Sequence, residues 1–404
     1  MTSRERAAWS WTEQLRSGGS TPWSAWLAEE RAGDAAGPPA GWSPAGAAQL
    51  ELVRRLAAAV GDGPSGPAFT RLADLVLSRS GPGRGLAEQP LASPGGGEVA
   101  PHRRFGAPPV DPADVPVDEL VRLAVGTLTE LLLAGPLVPE PATPRRRLLT
   151  RTPAFRLAGA PVTTSVVRRE LSGSGHVEGG RLPRVLLLAE PLDAALAQVW
   201  SARVQRGAPV RWRGFVQRWA GRRDLPPSAD LPALARLWAE RVGPDRVHVV
   251  APTGTPTGTA AEVLGLPLRP GTRPPAPARC RDLSPAAVDV ARRVNGVLGV
   301  RTDPRRRVEA VRGLVDALDV ATPGAARTGG LTVPAEHRDW CADRAEQVTD
   351  DLRAGGYPVH GRLEDLVPRF EGLPTSPPRA EVLAVALAAC LRQASRDQEQ
   401  VETR

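Results

Sequence analysis

The chain contains no lysine and no isoleucine, and its 404 residues include one methionine, one tyrosine and three cysteines. All 52 basic residues are therefore arginine. This bias reads as that of a GC-rich bacterial genome, and it has a chemical consequence. Without an ammonium side chain there is no Schiff-base lysine, no pyridoxal-phosphate lysine and no phosphate-loop lysine. The cysteines (Cys280, Cys341, Cys390) are odd in number and too widely spaced for a disulfide framework or a zinc-ligand pattern. No apolar run approaches the roughly 18 residues of a membrane span. The opening MTSRERAAWSW has no apolar signal core. These absences read as a soluble, cytoplasmic protein with no membrane partner.

Hydrophobic residues make up 41% of the chain, enough to fill a sizeable core. The 41 glycines and 43 prolines, together about a fifth of the residues, imply many turns. The formal charge of +8 is unevenly spread: residues 1–144 carry 12 Arg against 16 acids, and residues 145–404 carry 40 Arg against 28 acids. Such asymmetry can mark nucleic-acid binding. Here arginines alternate with acids along helical segments and cluster only at Arg145–Arg147 and Arg305–Arg307. They read as a solvated surface, with nucleic acid the less favoured partner.

Residues 1–80 read as a helical N-terminal region. Leu50, Val53, Leu56 and Val60 recur at helical spacing, and Phe69, Leu72, Leu75 and Val76 share a face after Pro67. Five tryptophans in the first 42 residues read as anchors of helix packing, with base or peptide stacking as the alternative. Residues 81–116 form a Gly/Pro-rich connector. Residues 117–148 supply a helix, with Asp118 and Glu119 in its first turn, followed by the linker PEPATPRRR. Residues 149–370 read as an α/β domain. RVLLLA (184–189) is a continuous apolar run of buried-strand type and RVHVV (246–250) a second, β-branched strand, separated by helices at 192–204, 211–220 and 231–242. That alternation predicts a parallel sheet flanked by helices. Helices follow from Ser284, from about Pro334 to Gly355, and at 378–393, the last within a C-terminal segment spanning 371–404.

The most informative stretch is FRLAGAPVTTSVVRREL (155–171). A short strand, a tight turn and a hydroxyl-rich helix start offer backbone N–H groups and a helix dipole to an anion. The turn resembles the phosphosulfate-binding loop of sulfotransferase-like proteins, whose strand leads into Gly-x-Pro-Lys-Thr-Gly-Thr-Thr. Gly159, Pro161 and Thr163 match, and Ser165 stands at a hydroxyl position. Val162 replaces the lysine, Thr164 the inner glycine and Val166 the last threonine. The resemblance extends over about residues 150–370, through 184–207, 231–254 and 337–368. It implies a site of Gly159, Thr163, Thr164, Ser165 and Arg168 for the donor 3′-phosphoadenosine 5′-phosphosulfate (PAPS).

The departures imply that the site is vestigial. Sulfuryl transfer places negative charge on oxygen and needs a close cation. Val162 supplies none. Glu190 stands where the family carries an arginine, and would repel a 3′-phosphate by about 1–4 kcal/mol. The expectation is a non-catalytic sulfotransferase-like protein, with no catalytic residue, no metal and no cofactor, that binds a partner protein, a related active chain being one candidate. Two alternatives are a PAPS-dependent sulfotransferase in which Arg168 or Arg169 replaces the lysine, and a nucleic-acid binder using the basic C-terminal domain.

Other motifs read as structural. Gly254-Thr-Pro-Thr-Gly258-Thr-Ala has three residues between its glycines where a phosphate loop needs four, and lacks the Lys. His248 lies in a strand. His337 and Cys341 are four apart on a helix, but two ligands do not make a metal site. Gly173-Ser174-Gly175 lacks the strand of a nucleophile elbow, and Asp350-Asp351 reads as a solvated pair.

Overall fold

Four parallel strands form one sheet in the order β1 (Phe155–Gly159), β2 (Arg184–Leu188), β3 (Val247–Val250) and β4 (Val359–His360). The computed structural model describes residues 3–29, 45–61, 66–78, 91, 109–135, 154–252, 255–268, 280–321 and 330–402. The register aligns the carboxyl ends, with Gly159 opposite Leu188, Leu188 opposite Val250 and Val250 opposite His360. The α/β class and the helix-flanked parallel sheet expected from the sequence are present.

The helices are α1 (Ser3–Arg16), α2 (Trp23–Ala28), α3 (Ala47–Val60), α4 (Pro67–Ser78), α5 (Val117–Ala134), α6 (Pro161–Gly173) and α7 (Leu192–Val204). They continue with α8 (Trp212–Arg222), α9 (Leu231–Val242), α10 (Pro256–Leu264), α11 (Pro285–Arg301), α12 (Pro304–Ala321), α13 (Arg338–Ala354) and α14 (Arg379–Glu402). Of the expected connectors, 139–147 lies outside the described residues, as does 81–116 apart from Leu91 and 109–116. Leu91 bridges to Val110 in that segment. Among the described residues no helix is long and apolar enough to cross a membrane.

Alternation along the strands divides the sheet between two apolar layers. Phe155, Leu157, Leu186, Leu188 and Val250 meet Val167 and Leu171 of α6 and Ala260, Ala261 and Leu264 of α10. Val185, Leu187, Val247 and Val249 face the larger core, which includes Leu231 and Ala235 of α9. Burying each such Leu or Val contributes about 1.5–3 kcal/mol. Asp230 caps α9 by accepting from the Ala233 N–H at 3.0 Å, and Ser284 caps α11 through Ala287 at 3.2 Å.

The larger core continues into a helical layer in which α14 lies against α3, α4, α5, α11 and α12. Cys390 reaches from α14 to the Ala124 carbonyl of α5 at 3.5 Å. Trp11 is fully buried, donates from Nε1 to the Thr21 carbonyl at 2.9 Å and meets the Trp23 ring at 5.0 Å. These two rings, with buried Trp26, anchor the packing of α1 and α2. Trp42 lies outside the described residues. The final helix runs to Glu402, beyond the expected end at Gln393, and α12 and β4 are additions to the expected elements.

Gly159 fixes the approach of β1 to β2. Its φ is +108°, and a Cβ there would stand 2.3 Å from the Leu188 carbonyl oxygen. Gly243 has a similar φ of +90° with nothing within 4 Å of that position. Gly159→Ala is expected to lower unfolding free energy by about 2–4 kcal/mol, and Gly243→Ala by about 1–2 kcal/mol. Equal losses in urea titrations of the two variants would remove the close contact as the cause.

Candidate functional site

After Gly159 the chain turns at Ala160, whose N–H donates to the Leu188 carbonyl at 3.2 Å. Pro161 then opens α6 at the position where a missing N–H costs nothing. This places the N-terminus of α6 beside the carboxyl end of β2, the part of an open parallel sheet where ligands bind. A helix start leaves N–H groups without intrahelical acceptors, and these attract anions.

Here the chain itself supplies the acceptor. Gln198, in the middle of α7, accepts at Oε1 from the N–H of Val162 at 3.1 Å and of Thr163 at 3.0 Å. Its Nε2 donates to Thr163 Oγ1 at 3.0 Å. The Thr163 hydroxyl in turn donates to Glu190 Oε1 at 2.5 Å, the length of a charge-assisted O–H···O bond. Burial pushes the Glu190 carboxyl above its ordinary range, Thr163 and Gln198 oppose the shift, and the like charge of Asp282 adds to it. A carboxylate and an amide thus occupy the cradle that an anionic ligand would need.

The remaining predicted residues are drawn elsewhere. Gly159 and Thr163 flank the turn, whereas Thr164 and Ser165 face inward at 7% and 4% exposure. The Thr164 hydroxyl has no hydrogen-bond partner among the described residues. Val162 is packed in an apolar cluster with Ala202 of α7 and Cys280. Arg168 pairs with Glu178 at 2.5 Å, and Glu178 also accepts from the Leu157 N–H at 2.7 Å. With the Gly179 N–H on the Phe155 carbonyl at 3.1 Å, this closes the outer edge of β1 and holds Arg168 there.

A groove of about 290 Å³ opens beside the network. Among the described residues, Leu188, Ala189, Val250, Ala251, Pro252 and Pro256 form its apolar walls, and Thr163 and Glu190 are its polar groups. It lies between the carboxyl ends of β2 and β3 and the first turns of α6 and α10.

The other motifs resolve into structure. Cys341 is fully buried, and burial raises its thiol pKa far out of the reactive range; burial likewise pushes Cys280 up to about 12. His337 ends a short 3₁₀ turn at the start of α13, and no group of three metal-ligating residues forms among the described residues. Ser174 is the C-cap of α6, with Gly175 at φ +89°. Asp350 pairs with Arg353 at 2.7 Å. Gly254 lies outside the described residues, and Pro256 starts α10 two residues later. His248 meets His360 of β4, its Nδ1 lying 3.1 Å from Nε2.

Gln198 and Glu178 are the two site residues that motif reading passes over. Gln198 carries a signal, as a polar residue in the otherwise apolar face of LDAALAQVWSARV. Glu178 has none, because its role depends on a loop returning to β1. Comparison with family models, curated proteins and solved structures finds no match to the chain.

A carboxyl whose pKa rises on folding favours the folded state at low pH, and that contribution is lost as pH climbs from the ordinary 4.5 through the raised value. Glu190→Gln keeps the shape and cannot ionise. Its stability relative to the parent chain is therefore expected to increase from pH 4 to pH 8. A difference that stays constant across urea titrations in this interval would show that Glu190 titrates as in the unfolded chain.

Proposed function

We propose that the chain is a non-catalytic protein of the sulfotransferase-like kind, acting in the cytoplasm by binding a partner protein. The observation that carries this reading is the closure of the α6 N-terminus by Gln198 and Glu190. Sulfuryl transfer requires a cation against the leaving oxygen. The position matched to the family's lysine is Val162, buried against Ala202 and Cys280. Arg168, one of the two arginines that an active enzyme could call on in its place, is held by Glu178 at the outer edge of β1.

Binding is what the parallel sheet and its surfaces retain once that site is closed. Three buried, unbridged cysteines accord with a reducing compartment. Val300 and Val308, at 89% and 56% exposure on either side of the turn between α11 and α12, are side chains that a protein partner would cover.

Calorimetric titration with adenosine 3′,5′-bisphosphate (PAP), on protein shown to be folded by circular dichroism, tests the reading directly. The expected result is no heat of binding at low or moderate salt. Micromolar binding, about −8 kcal/mol, would mean that the nucleotide displaces Glu190 and would overturn it.

A further inference from the structure

The chain has a consistent way of handling carboxylates removed from water. Glu51 is held by Arg54 and Arg55, each at 2.7 Å. Asp289 is held by Arg292 and Arg293, also at 2.7 Å, and Glu178 by Arg168. Asp193 rests on the Ala194 N–H in the first turn of α7. Asp193 and Glu190 depart from the pattern: among the described residues neither has an arginine partner, and Glu190 feels the like charge of Asp282. Of the two, Glu190 lines an open groove.

We propose that this groove binds a small cation, an ammonium or guanidinium on a short apolar stem, with the Glu190 carboxylate as its counter-charge. The hydroxyl of Thr163 fixes the carboxylate from one side, with the Gln198 amide beside it, leaving lone pairs on the groove side for the ligand. Leu188, Val250, Ala251, Pro252 and Pro256 pack the stem. The volume of about 290 Å³ is at the lower end for a small-molecule site and matches a ligand of a few carbon atoms. The same geometry refuses anions. The two N–H groups that would receive one are already bonded to Gln198, and a cation gains from Glu190 what a phosphate would lose.

A cation of this kind has two sources, a free amine or the arginine or lysine side chain of a partner protein. The test is ligand-detected NMR on the full chain at pH 5 and pH 8 in low salt. The probes are n-butylammonium, methylguanidinium and acetyl-Gly-Arg-Gly-amide, with butyrate and inorganic phosphate as anionic controls. The cations are expected to bind more tightly at pH 8, at least tenfold more weakly in Glu190→Gln, and the anions not at all. Binding of the free cations identifies a small ligand, and binding of the peptide alone identifies a partner's side chain; either supports the site.

Pro252→Arg, which offers the groove an internal guanidinium, is expected to block the cations in a second, independent way. Absence of cation binding, or binding unchanged in Glu190→Gln and Pro252→Arg, would overturn the proposal. The outcome is separable from that of the PAP titration, because cation binding does not depend on whether the fold is sulfotransferase-like.

Discussion

The side chain of Gln198 ties together three parts of the molecule that the backbone alone leaves apart. Its amide oxygen ends two orphan N–H groups of α6, and its amide nitrogen orients the Thr163 hydroxyl toward Glu190. The first turn of α6 is thereby fixed against α7, and β1 is fixed against β2 by the close passage at Gly159. A ligand that filled this site would have to break an existing set of bonds rather than enter a vacancy. Removing one partner of such a network leaves the others buried and unsatisfied, at about 1–3 kcal/mol for each group. The closed state is for that reason a stable property of the fold.

The parts of the structure that the sequence makes legible are those governed by local patterns. RVLLL is a continuous apolar run and RVHVV a β-branched one because each strand is covered by apolar layers, and α5 and α9 announce themselves through first-turn acids and a Gly-Pro stop. β4 escapes such reading because two residues, Val359 and His360, carry no period; only their pairing with β3 makes them a strand. α12 is masked in the sequence for another reason. Its arginine run at 305–307 draws attention to charge, while Val311, Leu314 and Leu318 keep a helical apolar face behind it. At the site, the turn and its hydroxyls were visible, but Gln198 and Glu178 act from 35 and 10 residues away in sequence. No motif spans those distances.

The absence of lysine shapes the electrostatics as much as any motif. A guanidinium is planar, stays charged and binds carboxylates in pairs. Several of those described make local contacts, as at Arg54, Arg122, Arg292 and Arg353 with acids three residues away. Others stack on rings, Arg222 on Trp219 and Arg241 on Trp238. Part of the positive charge is thereby matched in pairs and stacks along individual helices. Against that background an unaccompanied carboxylate such as Glu190 stands out.

The helical layer has a consequence for how the chain comes to be made. The bond from Cys390 to the Ala124 carbonyl spans 266 residues, and the faces of α3, α4 and α5 that meet α14 have no cover until α14 exists. On a ribosome adding about 5–20 residues per second, those faces wait for many seconds after they emerge, in water and beside other nascent chains. During that interval the early helices depend on one another or on a chaperone. β1, β2 and β3 emerge within that interval, and β4 follows only shortly before α14.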